Sequence, residues 1–211
     1  IMPDLRGHGK SEGNRIGLAY EETSDVKAVT DYIKSNTRYQ GVPIIVMGVS
    51  MGGAVAIRSI GENQDIDGLI SLSAFSSLED FLQASREAFL PMIPADELDG
   101  VTGSVIKEKY GVDASVCSPI YSLRGLRGRP VLMMHSRQDT QVPYSCFEKL
   151  TAEASKYTAD LDTMTVDGDE HFICKDFTQP SSDQGYMGRV MKFISQLTSK
   201  HAHAKRKKGR N

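Results

Sequence analysis

The sequence has no long hydrophobic run and only three cysteines among its 211 residues, and both shortages exclude classes of protein. No apolar run approaches the roughly 20 residues that a membrane-spanning helix needs, so no membrane span is predicted. The cysteines Cys117, Cys146 and Cys174 are odd in number and far apart, which argues against a disulfide framework. Reduced thiols are typical of a cytoplasmic protein, and we predict that location. No Cys/His cluster has the spacing of a zinc site, so no metal is predicted.

The chain has little excess of either charge, with a formal net charge of −2, but its charged residues are unevenly distributed. Residues 200–211 contain six basic residues and no acidic one, so the remainder carries 19 positive and 27 negative charges, a net charge of −8. An acidic body is not typical of a nucleic-acid-binding protein, and no nucleic-acid partner is predicted. We predict that residues 200–211 form a disordered, solvated tail, with a localisation signal or a polyanion contact as the alternative.

Apolar runs of strand length alternate with segments of helical periodicity along the chain. The predicted strands are residues 43–47, 66–74, 130–135 and 161–166, and the predicted helices are residues 20–35, 51–60, 144–156 and 187–197. This alternation favours an α/β fold with a mainly parallel sheet. Residues 75–128 interrupt it with two further predicted helices, near 78–90 and 98–110, and are interpreted as a cap-like insertion. We therefore predict a single domain over residues 1–199.

The pattern G-x-S-x-G occupies Gly48–Gly52, between a predicted strand and a helix rich in small residues. In that context it is typical of a nucleophile elbow, in which a strained turn exposes the serine hydroxyl at the top of a sheet. Glycines on either side of the serine leave room where strand and helix pack closely. The following helix directs its free N–H groups toward developing negative charge. Ser50 is therefore the candidate nucleophile.

Two further candidate residues follow later strands. Asp139 comes after the strand at 130–135, and His171 comes after the strand at 161–166. Ligands bind at the carboxyl ends of the strands in such a sheet. A histidine can accept the proton of a serine hydroxyl, and a buried carboxylate fixes the imidazole tautomer. Taken singly, Ser50 could be a turn serine, Asp139 a helix cap and His171 a loop histidine, but their joint order favours a catalytic triad.

These motifs together resemble the α/β-hydrolase superfamily, from the end of its fourth strand to its last helix. The matching segments are the D-x-R-G-x-G-x-S loop at 4–11, the elbow at 48–52, the D-x-x-V-P acid loop at 139–143 and the histidine loop at 168–171. The short insertion, and Ser118-Pro119 before the strand at 130–135, resemble the serine aminopeptidase-like and esterase branch. Two residues depart from the pattern: Ser136 replaces the glycine usual after His135, and Glu170 replaces a small residue.

The resemblance implies a serine hydrolase that acts on a small-molecule or peptide acyl substrate without a cofactor. Ser50 would attack an ester, thioester or amide carbonyl, His171 would carry the proton, and Asp139 would orient His171. The backbone N–H of Met51 would supply one oxyanion-hole donor. Apolar residues of the insertion are expected either to roof the acyl pocket or simply to pack on the body; they are Phe81, Phe89, Leu90, Met92 and Ile93. The alternative is a non-catalytic member of the same fold that serves in binding or scaffolding.

The resemblance also implies that part of the fold lies upstream of Ile1. The family's first three strands would be there, together with the loop that supplies the second oxyanion donor. We expect the chain to be N-terminally incomplete, which makes the lack of a visible signal peptide uninformative. We also expect the strand at 43–47 to lie at an edge of the sheet, and this chain alone to be inactive.

Overall fold

Four parallel strands form one sheet in the computed structural model, which describes residues 1–89, 91–176 and 178–208, without the side chains of residues 88, 89 and 204–208. The strands are β1 (Ile45–Val49), β2 (Gly68–Leu72), β3 (Val131–Ser136) and β4 (Leu161–Val166). They lie side by side in chain order, and each neighbouring pair is parallel. The predicted α/β fold with a mainly parallel sheet is confirmed.

Helices flank this sheet and build the insertion between β2 and β3. The helices of more than one turn are α1 (Thr23–Ser35), α2 (Met51–Glu62), α3 (Leu78–Phe89), α4 (Ala95–Tyr110), α5 (Ala114–Cys117), α6 (Pro119–Ser122), α7 (Tyr144–Ala154) and α8 (Gln184–Lys208). The insertion at 75–128 therefore contains α3 to α6, where two helices were predicted. Among the described residues, no helix combines the length and the apolar character needed to cross a membrane.

The two central strands are buried on both faces, which explains their nearly continuous apolar sequences. Leu69 and Met133 point into a core cluster shared with α2 and α7. Their neighbours Ile70 and Leu132 point into a second cluster, which is completed by Phe193 of α8. The sheet thus lies between two helical layers, and its alternating side chains serve both.

Strand β1 lies at an edge of the described sheet, as expected for this segment. It pairs with β2 alone among the described strands. Its residues are less buried than those of β2 and β3, and the side chain of Met47 is 44% exposed. An apolar groove of about 370 Å³ runs between β1, α1 and the first residues of the chain.

Two helix boundaries differ from the prediction. Helix α1 begins at Thr23 rather than residue 20, and the residues just before the predicted start, Leu18 and Ala19, have positive φ values of 48° and 75°. Helix α2 continues through Gly61, where the sequence predicted a stop. A Cβ at Gly61 would lie 2.2 Å from the carbonyl oxygen of Ser122, so this glycine allows two helices to pack closely.

Helix α8 continues to Lys208, into the segment for which the sequence predicted a disordered basic tail. Extending an existing helix gains one hydrogen bond per residue without a new nucleation step, and Ala, Lys and Arg favour helix. Lys200 also pairs with Asp160, with 2.5 Å between Nζ and Oδ2. Residues 209–211 lie outside the described residues.

Arg129, just before β3, joins the ends of several elements through its guanidinium group. It donates hydrogen bonds to five backbone carbonyl groups, those of Ile60, Asn63, Ile66, Gly125 and Leu126. These carbonyl groups belong to the end of α2, the segment leading into β2 and the turn before β3. One side chain therefore satisfies acceptors from three parts of the chain.

We predict that Arg129→Ala lowers the free energy of unfolding by about 3 kcal/mol, because several partly buried carbonyl groups lose their donor. Urea unfolding of the full-length protein measures this. Arg124→Ala is the matched control: Arg124 is exposed, and its removal should change the free energy of unfolding by about 0.5 kcal/mol or less. Equal effects of the two substitutions would contradict the role assigned to Arg129.

Candidate active site

Ser50 lies in the turn between β1 and α2 with a backbone that non-glycine residues rarely adopt. Its φ and ψ are 55° and −122°, and such strain concentrates at functional sites. A Cβ at Gly48 would lie 2.0 Å from the carbonyl oxygen of Gly52, so only glycine fits there. The N–H of Ser50 donates to the carbonyl of Leu72 at 2.8 Å, which fixes the turn to the end of β2.

Met51 is the first residue of α2. Its N–H therefore lies in the first helical turn, where N–H groups have no intrahelical acceptor. The positive end of the helix dipole is at the same place. This location suits the oxyanion-donor role predicted for Met51.

Asp139 lies in the turn after β3, and it is 8% exposed. Its Oδ1 accepts hydrogen bonds from the N–H groups of Gln141 (2.9 Å) and Val142 (3.0 Å). Its Oδ2 lies 2.8 Å from Nδ1 of His171. Burial by itself raises the pKa of Asp139, but the hydrogen bonds from His171 and the two backbone N–H groups outweigh it and hold the pKa below its usual value. The carboxylate is thus ionised at neutral pH.

His171 follows β4 and is 5% exposed. Because Nδ1 faces Asp139, Nε2 is the nitrogen left for a reacting group. No hydrogen bond joins His171 to Ser50 within the described ranges; such contacts are often long before a substrate binds. Both residues lie next to the end of β2. The N–H of Ser50 donates a hydrogen bond to the carbonyl of Leu72, and the carbonyl of His171 accepts one from the hydroxyl of Ser73.

The acid loop and the histidine loop are tied directly to each other. Asp169 accepts hydrogen bonds from both the N–H and the hydroxyl of Thr140, at 3.1 and 2.9 Å. The backbone N–H of Gln138 donates to the carbonyl of Gly168 at 3.0 Å. The structure therefore brings Asp139 and His171 together, as predicted. Their assignment as catalytic residues, with Ser50, stays a prediction.

Sequence reasoning missed the part that His135 plays beside Asp139. The side chain of His135, near the end of β3, is buried, with Nε2 at 2.9 Å from the carbonyl of Val142 and 3.4 Å from Oδ2 of Asp139. Burial lowers the pKa of His135 and outweighs the opposing effects of Val142 and Asp139. The four-residue spacing between His135 and Asp139 was the available signal, since a tight turn after a strand returns the chain to the strand end.

Two charged residues of the D-x-R-G-x-G-x-S loop, Asp4 and Arg6, make the contacts that hold it. Arg6 forms an ion pair of 2.8 Å with Asp25 of α1. Asp4 accepts the N–H of Lys10 at 2.9 Å, and its carboxylate fills the space that a Cβ at Gly9 would need. This motif therefore stabilises a loop in the structure.

The apolar residues of the insertion do not behave as one group. Phe81 packs on Phe75, with ring centroids 5.6 Å apart, in a cluster that also contacts Met51. Met92 is 79% exposed, so it does not roof a pocket in this structure. Ile93 is half-buried. The side chain of Phe89, and Leu90 as a whole, lie outside the described residues.

Comparison with known proteins gives similar sequences and folds. The family model described as serine aminopeptidase, S33, matches residues 1–98. YqkD of Bacillus subtilis is 28% identical over 152 residues, which cover 71% of this chain and 49% of YqkD. The human monoglyceride lipase is also 28% identical, over 66% of this chain and 50% of the lipase. The chain thus spans about half the length of the curated relatives it matches.

Solved structures with a fold similar to that of this chain include an archaeal esterase. The Pyrococcus furiosus esterase Pf2001 superposes with a TM-score of 0.69 at 20% identity, over 92% of this chain and 69% of the esterase. At that identity the likeness concerns the fold.

We predict that Gly48→Ala lowers the free energy of unfolding by about 2 kcal/mol or more, because the new methyl group overlaps the Gly52 carbonyl and the packed turn must shift. Gly100→Ala in α4 is the control, since nothing lies within 4 Å of a Cβ there. It should be neutral or stabilising by about 0.5–1 kcal/mol. Denaturant unfolding of both variants provides the comparison, and an undisturbed Gly48→Ala protein would refute the steric argument.

Proposed function

We propose that this chain is the catalytic part of a serine hydrolase of the α/β-hydrolase superfamily, which forms an acyl-enzyme on Ser50. The observation that carries the proposal is the 2.8 Å contact between Nδ1 of His171 and Oδ2 of Asp139. This contact lies beside the end of β2, to which the Ser50 turn is also bonded. A serine, a histidine and a buried carboxylate gathered at strand ends suit acyl transfer.

The proposed reaction begins when Oγ of Ser50 attacks the carbonyl carbon of an ester, thioester or amide. Nε2 of His171 accepts the hydroxyl proton, and the ionised Asp139 stabilises the imidazolium that forms. The oxyanion accepts a hydrogen bond from the N–H of Met51. As the tetrahedral intermediate collapses, His171 returns the proton to the leaving group. Water, deprotonated by His171, then releases the acid and restores Ser50.

The comparisons support a small acyl substrate without selecting its leaving group. One relative is named a monoglyceride lipase and one structural neighbour an esterase, whereas the matched family is described as an aminopeptidase. We therefore propose a small-molecule or peptide acyl substrate. The alternative, a non-catalytic binding or scaffold protein, would need no reactive serine, and this difference makes the two proposals separable.

We predict that a fluorophosphonate probe labels the full-length protein at Ser50, because an activated serine reacts covalently with this electrophile. Ser50→Ala supplies the background for labelling. Ser50→Ala and His171→Ala should each lower kcat for an activated ester by about 10³-fold or more, and the double variant should be little worse, since the residues act as a unit. Asp139→Asn should lose activity and keep the fold.

Two results would count against this assignment. Labelling of wild-type protein no stronger than that of Ser50→Ala would favour the non-catalytic alternative. Near-wild-type turnover by Asp139→Asn would mean that another acid orients His171.

We further propose that residues 1–211 by themselves are inactive. Strand β1 pairs on one side only within the described sheet, and an apolar groove lies next to it; both features favour association between chains. An oxyanion hole with the Met51 N–H as its single donor would lower the rate by about 10²–10³-fold. Expression of this chain beside a version extended upstream tests the proposal. A monomeric, cooperatively melting 1–211 protein with the turnover of the extended one would overturn it.

A further inference from the structure

Ser73, the residue after β2, has a buried hydroxyl that reaches the histidine loop. Its side chain is fully enclosed, and its Oγ donates to the carbonyl of His171 at 2.5 Å. Its N–H donates to the carbonyl of Met134 in β3 at 2.9 Å. The residue has a φ of 48°, an uncommon value for serine. Ser73 thus lies directly after Leu72, which holds the Ser50 turn, and directly beneath His171.

Ser136, the last residue of β3, makes an equivalent contact one residue earlier in the histidine loop. Its side chain is also fully buried, and its Oγ donates to the carbonyl of Glu170 at 2.6 Å. Its own carbonyl accepts the N–H of Asp139 at 3.4 Å. Glycine is usual at this position in the family that the sequence resembles, and glycine has no hydroxyl to donate. Ser136 therefore contacts the loops of both Asp139 and His171.

The two contacted carbonyl groups are consecutive and belong to a segment without regular secondary structure. Residues 167–176 follow β4 and form no helix or strand in the described part of the loop. Carbonyl groups shielded from water need hydrogen-bond donors, and the two serine hydroxyl groups act as donors here. The carbonyl of Glu170 receives a second bond, from the N–H of Ile173 at 2.8 Å. The carbonyl of His171 accepts its hydrogen bond from the hydroxyl of Ser73.

We propose that Ser73 and Ser136 are positioning residues for His171, a pair of buried hydroxyl groups that hold two consecutive carbonyls of the histidine loop. Fixing the His171 peptide from below keeps its imidazole against Asp139 and beside the end of β2. Because Leu72 holds the Ser50 turn and Ser73 holds His171, one strand end sets the positions of both candidate reacting groups. This inference rests on the proposed function, since it assigns the two serines to the same reaction.

The test uses Ser73→Ala and Ser136→Ala in the full-length protein. Each should lower kcat for an activated ester by about 10- to 100-fold, because small misplacements of a catalytic group have effects of this size. KM should change by less than about twofold, since neither hydroxyl faces the substrate. Ser71→Ala is the matched control. Ser71 is a buried residue of β2, and its hydroxyl donates to the carbonyl of Gly53 and not to the histidine loop. Unchanged kcat in both variants, or equal losses in Ser71→Ala, would overturn the proposal.

A double-mutant cycle separates positioning of His171 from a general loss of structure. In a His171→Ala background, Ser73→Ala should lower the residual rate by less than about twofold, because the group it positions is gone. A loss as large as in the parent protein would mean that Ser73 acts through something other than His171. If Ser73→Ala fails to fold, the same cycle with Ser136→Ala decides the question.

A measurement without substrate distinguishes failure of this inference from failure of the proposed function. Wild-type protein that neither turns over esters nor takes the fluorophosphonate label contradicts the proposed function. Amide hydrogen exchange of residues 170–173 then tests the positioning contacts alone. Exchange should be faster in Ser73→Ala and Ser136→Ala than in Ser71→Ala, and equal rates in all three would contradict the contacts themselves.

Discussion

A carboxylate and an imidazole lie together, nearly without solvent, where β3 and β4 end. Burying a charged carboxylate is unfavourable unless its oxygens are satisfied. Asp139 meets this requirement with two backbone N–H groups on one oxygen and His171 on the other. Those donors belong to different loops, so both loops must have fixed shapes before the charge can be accommodated. Much of the surrounding polar structure follows from this single contact.

The parallel sheet supplies the fixed shapes because its strands all end at the same edge. Loops that leave neighbouring strands run side by side, and each can satisfy the backbone of the next. Thr140 and Asp169 link the acid loop to the histidine loop, while Ser73 and Ser136 reach that loop from the strand ends below it. The Ser50 turn joins the same arrangement through the carbonyl of Leu72. Hydrogen bonds between neighbouring loops and strand ends therefore hold the candidate site in place.

The sequence was informative wherever the determining signal was local. Strand β4 was predicted with its observed limits, and the strand-to-helix transition at Ser50 followed from its glycines and the apolar run before them. Features that depend on distant partners were not predictable. Helix α2 passes through Gly61 because a carbonyl from residue 122 packs against it, and no property of the local segment indicates that contact. The roles of Ser73 and Ser136 were invisible for the same reason, since their acceptors lie 98 and 34 residues away.

A second histidine, His135, lies beside the carboxylate of Asp139 but does not form an ion pair with it. The carbonyl of Val142 can only accept a hydrogen bond, so Nε2 of His135 carries the proton of the neutral ring and donates it to that carbonyl. Burial lowers the pKa of His135, which keeps the ring neutral at neutral pH. Its distance to Oδ2 of Asp139 is 3.4 Å, against 2.8 Å for His171. Oδ2 of Asp139 is thus paired with Nδ1 of His171, which leaves Nε2 of His171 for the proposed proton transfer.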